Sequence, residues 1–322
     1  MTASLIEQLS LREISPRDFE SNFNPRRMGN NLNIAYGGWT LAIATNAACQ
    51  SAPPSYHLHS ILGHYLGPTL TDRKLFCTIR KIRDTCTFVT RQVEVSQVQD
   101  DSSKRLVLVL LADFQVKEKA SLLTYSAPPS KLYSNFENIP TMDSQLQSMI
   151  QAKAISQEVV EVHNLTFNML AEHFNQKPCP EGIAAQNLRG MAKHVMTTQD
   201  HLPLTSKTSA DWFKAKDALE NKLQQITVLA FMMDASISFI PLTHNHQFLD
   251  DAVACSSLNF ALRIFSCGVS LNNWHLREII TIAGAEGRTY TEGRLWDRDG
   301  RMVASMTQQS IMRPKHSTKS NI

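Results

Sequence analysis

The chain has no apolar run long enough to cross a membrane. Its longest apolar stretches, LVLVLLA and ITVLAFMM, are far shorter than the roughly 20 residues of a spanning helix. The first residues, MTASLIEQLSLREISPRDFES, contain early acidic side chains and no long apolar core, so a signal peptide is not expected. These absences predict a cytoplasmic protein without a membrane span.

Paired cysteines and metal-binding motifs are also missing. The six cysteines have no CxxC spacing and mostly lie in apolar stretches, which is typical of reduced core residues in an intracellular protein. His244 and His246 precede Asp250 and Asp251, but this polar segment is predicted to be a solvated loop rather than a metal site. We expect neither a metal ion nor another cofactor.

The chain carries little net charge, only +3 over 322 residues. It therefore lacks the basic signature of a protein that binds nucleic acid or an anionic membrane surface. Hydrophobic residues make up 43% and charged residues 19%, which predicts a packed core in one large or two medium domains. The G-x-S-x-G motif of a serine nucleophile is absent, because GVSLN at 268–272 does not match it.

What is present begins with a helix followed by strands. Residues 36–51, YGGWTLAIATNAACQS, predict a helix that starts after Gly37 and Gly38, with small side chains that let a sheet approach closely. Three β-rich stretches follow, KLFCTIRKIR, TFVTRQVEVSQ and KRLVLVLLADFQV. One buried helix and a run of antiparallel strands predict the α+β class.

The second half repeats this order after a polar segment. Residues 119–155 predict a linker, EVVEVHNLTF predicts a strand, and 175–208 predict an irregular insertion. A helix within ENKLQQITVLAFMMDASISF and several β-like stretches follow. We infer two tandem domains, at 1–118 and 156–315, whose sheets pair edge to edge or back to back, and a frayed tail at 316–322.

Superposing the two halves isolates three polar residues of the second half. The pairs are Gln308 on Ala112, Ser257 on Leu58 and Asp234 near Ala48. Gln308 shares a strand face with Ala304 and Met306, because strand side chains alternate between the two faces. An amide on an apolar face needs a hydrogen-bond partner, so the three substitutions together predict a site.

Asp234 lies on or beside the inward stripe of its helix, since it follows Ile226 and Ala230 at intervals of four. A carboxylate there must be paired, hydrogen-bonded or raised in pKa. It can accept a proton, while the Ser257 hydroxyl and the Gln308 amide can hold a water or polarise a carbonyl. Because no nucleophile with a base is apparent, attack by an oriented water is favoured.

Several motifs match one family pattern. Gly37-Gly38 opens the first helix, HSILGHYLGP follows in a strand, and GRLWDRDGRMVASMTQ precedes a final arginine. With Asp234 ending the second helix and Ser257 opening a strand, the chain resembles the acyl-CoA thioesterase II family, the double hotdog thioesterases. The resemblance covers about residues 10–315 apart from the insertion.

The resemblance implies a tandem double hotdog, in which each half is a long helix wrapped by an antiparallel sheet. It also implies an acyl-CoA substrate that is hydrolysed to free acid and CoA. The family trio of Asp, Thr or Ser, and Gln corresponds to Asp234, Ser257 and Gln308. In this arrangement the three side chains orient the attacking water on the thioester.

The resemblance further implies substrate contacts outside the trio. The N–H groups at Gly37 and Gly38 would polarise the thioester carbonyl, and Arg288 and Arg313 are candidates for the CoA phosphates. The chain departs from the family pattern at Leu62, Leu258, Asn259, Phe260 and Ser310. These departures bear on the acyl preference.

Other readings remain open at this point. A hotdog dehydratase or hydratase would need an acid–base pair such as D-x-N-P-x-H, which is absent, and a non-catalytic acyl-carrier-binding protein would not need the trio. The acyl group belongs either to general fatty-acid metabolism or to a specialised polyketide or fatty-acid pathway. The family commonly forms homo-oligomers, and the C-terminal SNI only loosely resembles the peroxisomal tripeptide SKL.

Overall fold

The computed structural model describes residues 3–30 and 32–315. The helices are α1 (Leu5–Gln8), α2 (Gly37–Gln50), α3 (Met142–Gln151), α4 (Gln157–His173), α5 (Ile183–Gln186), α6 (Lys222–Met233) and α7 (Ile240–His244). The strands of the first half are β1 (Leu11–Ser15), β2 (Asp18–Ser21), β3 (Tyr56–Tyr65), β4 (Phe76–Asp84), β5 (Phe88–Val98) and β6 (Lys104–Val116). Those of the second half are β7 (Phe174–Pro178), β8 (Thr208–Ala215), β9 (Ala252–Ile264), β10 (His275–Ala285), β11 (Arg288–Trp296) and β12 (Met302–Pro314).

Two long helices, α2 and α6, form the centre of the molecule. Both are apolar on nearly every side, as expected for helices that are buried all round. They pack against each other in opposite directions. The start of α2 at Gly37 lies beside Asp234, just past the end of α6, while Lys222 at the start of α6 donates to the Tyr56 carbonyl that follows α2.

A single 12-stranded sheet surrounds this helix pair, in the order β1-β2-β4-β5-β6-β3-β9-β12-β11-β10-β8-β7. The order is a mirror repeat, because each strand of the first half has its counterpart at the same distance from the seam. At the seam β3 and β9 run antiparallel, with Ile61 opposite Leu262. The two sheets therefore pair edge to edge, and the predicted α+β tandem double hotdog is confirmed.

The predicted strand EVVEVHNLTF is wrong, because these residues belong to α4. The Ser156 side chain caps this helix by accepting from the Val159 N–H, and the buried residues Val160, His163 and Phe167 recur at helical spacing. Adjacent β-branched valines produced the strand-like appearance. The short strand β7 starts only where α4 ends.

The predicted linker at 119–155 follows the sheet of the second half and includes α3. The indole N–H of Trp296 donates to the Ala127 carbonyl at 2.8 Å, and that of Trp212 donates to Ser134 at 3.0 Å. The predicted domain boundaries stay a prediction. The C-terminal segment 316–322, which includes the predicted frayed tail and the SNI tripeptide, lies outside the described residues.

The predicted insertion at 175–208 contains most of β7, then α5 and two short 3-10 turns, and it closes over the second half of the sheet. The expectation of a solvated loop at His244 is wrong, since this residue ends α7 and is fully buried. Across residues 3–30 and 32–315, no helix is both long and apolar enough to cross a membrane.

Candidate active site

Asp234 is the residue on which the candidate site is built. It directly follows the last residue of α6 and is only 5% exposed. Its Oδ1 accepts a hydrogen bond from Gln308 Nε2 at 2.7 Å. The structure therefore brings together two residues that are 74 positions apart and that the comparison of the halves selected independently.

The start of α2 contributes the second side of the site. Tyr36 precedes this helix and gives it no side-chain cap, so the first N–H groups need another acceptor. The Gly38 N–H donates to Asp234, and a Cβ built on Gly37 would lie 3.0 Å from Asp234 Oδ2. The glycine permits this close approach, and the carboxylate of one half caps the helix of the other.

Burial raises the pKa of Asp234 to about 6, while the hydrogen bonds from Gln308, the Gly38 N–H and Tyr65 lower it. The carboxylate is thus ionised at neutral pH but holds protons more strongly than an exposed aspartate. This is the range in which a carboxylate serves as a general base near neutral pH.

Tyr65, at the end of β3, also reaches this carboxylate, and the sequence analysis did not assign it. Its hydroxyl lies 3.5 Å from Asp234 Oδ1. Burial and the nearby Asp234 raise the pKa of Tyr65 well above its ordinary value, so the phenol stays protonated and can donate. The signal was present in the aromatic residue of HSILGHYLGP, but the strand pattern alone does not show what its hydroxyl contacts.

Gln308 is completely buried in β12, where it lies opposite Thr291 on one side and Phe260 on the other. Its Oε1 accepts from Ser310 Oγ at 3.3 Å, so both ends of the amide are occupied. Gln309 faces the other way and is half-buried, with its Oε1 accepting from Asn259. The predicted face of Gln308 is confirmed.

Ser257 lies near this group without a direct bond to Asp234. It pairs with Ser310 next to a β-bulge between β9 and β12, so both side chains project from the same face. Ser257 is half-buried, and its hydroxyl bonds to no other side chain or backbone group in the described part of the chain. Ser310 therefore lies between the two residues: it is the strand partner of Ser257, and its hydroxyl donates to Gln308.

Arg277 in β10 holds the chain segment that carries Asp234. Its guanidinium donates from one nitrogen to the Met232 and Ala235 carbonyls, both at 2.9 Å. The remaining nitrogens form two hydrogen bonds to Asp211, at 3.0 and 3.2 Å. The sequence does not single out Arg277. An arginine in a strand pattern gives no sign that its side chain donates to the carbonyls at the end of a helix.

The two predicted phosphate contacts lie at the sheet end beyond Gln308. Arg288 is exposed at the start of β11, opposite Ile311, and Arg313 is exposed near the end of β12. A Cβ on Gly287 would lie 3.9 Å from Arg313 Cγ, so the two arginines share one rim. The structure brings them close to each other rather than into contact with the buried pair.

His244 and His246, the histidines considered as metal ligands, have other partners. His244 Nε2 lies 2.9 Å from Ser209 Oγ, and burial lowers the pKa of His244 to about 3. His246 Nε2 lies 2.7 Å from Asp200 Oδ1. Among the residues with a described position, no group of three or more His, Cys, Asp or Glu side chains is arranged to hold a metal ion.

Two antiparallel helices enclosed by one antiparallel sheet are the arrangement of a double hotdog protein. Family models for the acyl-CoA thioesterase N-terminal and C-terminal domains match residues 24–115 and 172–312. The chain belongs to the acyl-CoA thioesterase family with two hotdog domains.

Individual relatives agree with this assignment over nearly the whole length. The chain is 23% identical over 281 residues to acyl-CoA thioesterase 2 of Haemophilus influenzae, covering 86% of this chain and 87% of the relative. Acyl-CoA thioesterase II TesB2 from Mycobacterium marinum superposes with a TM-score of 0.67 at 18% identity, covering 97% and 99%. A conserved hot dog protein of unknown function from Alicyclobacillus acidocaldarius gives 0.68 at 13% identity, covering 98% and 100%.

Proposed function

We propose that the enzyme hydrolyses an acyl-CoA thioester to a free acid and CoA with a water molecule held at Asp234. The observation that carries the proposal is the buried hydrogen bond of 2.7 Å between Asp234 and Gln308 at the start of α2. A buried carboxylate with a pKa of about 6 can take a proton from water at neutral pH. Membership of the family supports the reaction class, and the buried Asp234–Gln308 pair supports the proposed position of the water.

The attacking water donates one hydrogen to Asp234 and forms a C–O bond with the thioester carbonyl. The C–S bond then breaks, CoA leaves as a thiolate, and the proton on Asp234 returns to the thiolate sulfur. Gln308 has a second amide N–H, and the Ser257 hydroxyl has no hydrogen-bond partner among the residues that the structure describes, so both are available to hold the water.

Charge develops on the carbonyl oxygen in the transition state, and the start of α2 is placed to receive it. Gly38 donates its N–H to Asp234. The Gly37 N–H, at the first position of the helix, is left to donate to the thioester oxygen. In this proposal the Gly38 N–H donates to the Asp234 carboxylate, and the Gly37 N–H donates to the substrate.

The CoA phosphates bind at the exposed rim that contains Arg288 and Arg313, at the sheet end beyond Gln308. Two guanidinium groups on one rim suit phosphate, because each can form paired hydrogen bonds with its oxygens. The acyl group extends inward, and its source is either fatty-acid metabolism or a specialised polyketide or fatty-acid pathway.

The test is release of free thiol from a panel of straight-chain and branched acyl-CoA substrates. We expect thiol release that follows enzyme concentration and depends on chain length. A new double bond without thiol release would instead indicate a dehydratase, and binding without either product would indicate an acyl-carrier-binding protein. Gel filtration of the same preparation would test whether the enzyme forms the homo-oligomer that its family suggests.

A further inference from the structure

A small cavity lies on the far side of the helix end that carries Asp234. It encloses about 30 Å³ between α7 and the inner face of β8 and β10. Its polar lining comes from Arg189, Arg277, Asp211, Ser209 and Ser236, together with Thr243. A cavity of this size, with polar side chains in its lining, has room for one or two water-sized groups.

The charges that line the cavity do not balance. Asp211 forms a two-bond ion pair with Arg277, and it also accepts from Gln176 Nε2 at 3.0 Å. Arg189 is only 7% exposed and donates to the neutral Ser236 hydroxyl at 3.1 Å. Within residues 3–30 and 32–315, no carboxylate lies within 4.0 Å of Arg189, so one buried cation is in excess.

The remaining neighbours of Arg189 offer only partial compensation. Its guanidinium lies 4.9 Å from the centre of the Phe167 ring, which supplies a cation–π contact. Burial lowers the pKa of Arg189 to about 10, although Asp211 acts in the opposite direction. The group is still protonated at neutral pH, and a buried cation without an anion costs free energy.

The backbone around Arg189 is built to hold it in this position. Leu188, Arg189 and Gly190 have φ values of 50°, 57° and 91°, and the left-handed region is unfavourable for the first two. Asn187 donates to the Thr243 carbonyl at 2.8 Å, and Thr243 Oγ1 donates to the Arg189 carbonyl at 2.8 Å. These bonds hold a strained turn that directs the cation inward.

We propose that Arg189 and Ser236 bind a carboxylate group in this cavity. Arg189 would supply paired N–H donors, which match the geometry of a carboxylate, and Ser236 would supply one hydroxyl. The carboxylate comes either from a small free anion such as formate or from the far end of a dicarboxylic acyl group. The second source rests on the proposed thioesterase function. It is considered because Ser236 follows Asp234 by only two residues.

The first experiment measures thermal unfolding and does not depend on catalysis. Sodium formate replaces sodium methanesulfonate at constant ionic strength, and we expect the Tm of the wild type to rise by about 2 °C or more. Arg189→Met should abolish the rise. Arg301→Met, in an exposed turn where Arg301 pairs with Asp299, should retain it.

Further variants keep this experiment decisive if Arg189→Met does not fold. Arg189→Lys keeps the charge but loses the paired donors, so it should reduce the Tm rise. Ser236→Gly removes the hydroxyl, and its φ of 70° suits glycine, so it should also reduce the rise. An equal Tm rise in wild type, Arg189→Lys and Ser236→Gly would overturn the proposal.

The second experiment separates the two sources of the carboxylate. It compares kcat/KM for octanoyl-CoA and for the CoA ester of the eight-carbon dicarboxylic acid. If the acyl group supplies the carboxylate, Arg189→Met should lower the preference for the diacid ester about tenfold relative to wild type. A formate response without this change supports the free anion, and the absence of both responses contradicts the proposal. Loss of all thiol release would contradict the thioesterase function but leave the Tm result intact.

Discussion

The two ends of the α2–α6 helix pair differ, although the fold makes them equivalent. At the first end, α2 begins without a side-chain cap of its own, and Asp234 from the other half supplies the acceptor. At the second end, α6 begins with Asn221, whose side chain accepts from the Gln224 N–H. One helix start is therefore satisfied locally, and the other depends on a carboxylate that also contacts Gln308.

The positions that correspond to the candidate trio are apolar at the second end. Ala48, Leu58 and Ala112 are all buried there. Burial also raises the pKa of the neighbouring Cys49 to about 12, so its thiol stays neutral. The two halves share one fold, but one helix junction is filled by apolar residues and the other contains a buried acid–amide pair.

Of the substitutions that test this difference between the two ends, removal of the Gln308 amide should lower kcat the most. Gln308→Ala gives this position the side chain that Ala112 has at the other end, and we expect kcat for thiol release to fall about 10². The substitution removes the hydrogen bond to Asp234 and, in the proposed reaction, a donor to the attacking water. Gln309→Ala is the matched control, because Gln309 lies on the opposite face. Normal kcat in Gln308→Ala with loss in Gln309→Ala would show that the proposed strand face is wrong.

The next effect concerns pH. In the proposed reaction the ionised form of Asp234 accepts the proton, so kcat should fall about tenfold for each pH unit below about 6 and level off above it. The measurement is kcat at saturating acyl-CoA between pH 4.5 and 8. A profile that is flat across pH 6 would argue against Asp234 as the base.

A somewhat smaller loss of kcat is expected when Arg277 no longer holds the chain segment that carries Asp234. Breaking the buried Arg277–Asp211 pair by one substitution leaves an unpaired charge, so both are replaced together as Arg277→Met with Asp211→Leu. We expect kcat to fall about tenfold and the pH midpoint to shift, because Met232 and Ala235 lose the donor that fixes their carbonyls.

The matched control for this double substitution is Arg294→Met, since Arg294 is a partly exposed arginine of the adjacent strand, paired with Glu292. It should leave both kcat and the pH midpoint unchanged. A folded double variant with the wild-type pH profile would mean that Arg277 only stabilises the fold.

The smallest effect on activity is expected at the second end of the helix pair, where the corresponding residues are apolar. Ala112→Gln places an amide where Ala112 is now fully buried beside Arg91 and Ile61, without a carboxylate like Asp234. The free energy of unfolding should decrease by about 1–3 kcal/mol, as expected for a buried polar group that lacks a suitable partner. Chemical denaturation measures this change, and kcat should be unaltered. Higher kcat would mean that the second end can also support catalysis.

Most of the fold follows from local patterns, but part of the site does not. The sheet-forming stretches and the two buried helices are visible as periodic apolar residues, and the repeat singles out Gln308 and Asp234. Tyr65 and Arg277 are not singled out, because their roles depend on contacts between strands far apart in sequence. The sequence predicts a strand where α4 forms, because its β-branched residues favour a strand more strongly than the spacing of its apolar residues favours a helix.

The raised pKa of Asp234 also implies a cost in stability. The ordinary aspartate value is 3.8 and the folded value is about 6, so the folded state favours the protonated form. The associated stability is present below pH 4 and is lost as the pH rises through about 6. At pH 8 the buried ionised carboxylate costs up to about 3 kcal/mol, which Asp234→Asn would relieve. Urea unfolding of this variant at pH 8 should show a gain, and a clear loss would contradict the assigned burial cost.

The most direct test of the account is kcat for thiol release by Asp234→Asn at pH 7.5 and saturating acyl-CoA. Asparagine keeps the size of the side chain and an oxygen that can accept from Gln308, but it cannot take a proton from water. We expect a folded protein whose kcat is lower by about 10² or more. A folded Asp234→Asn enzyme with kcat within about twofold of the wild type would contradict the central role of this carboxylate.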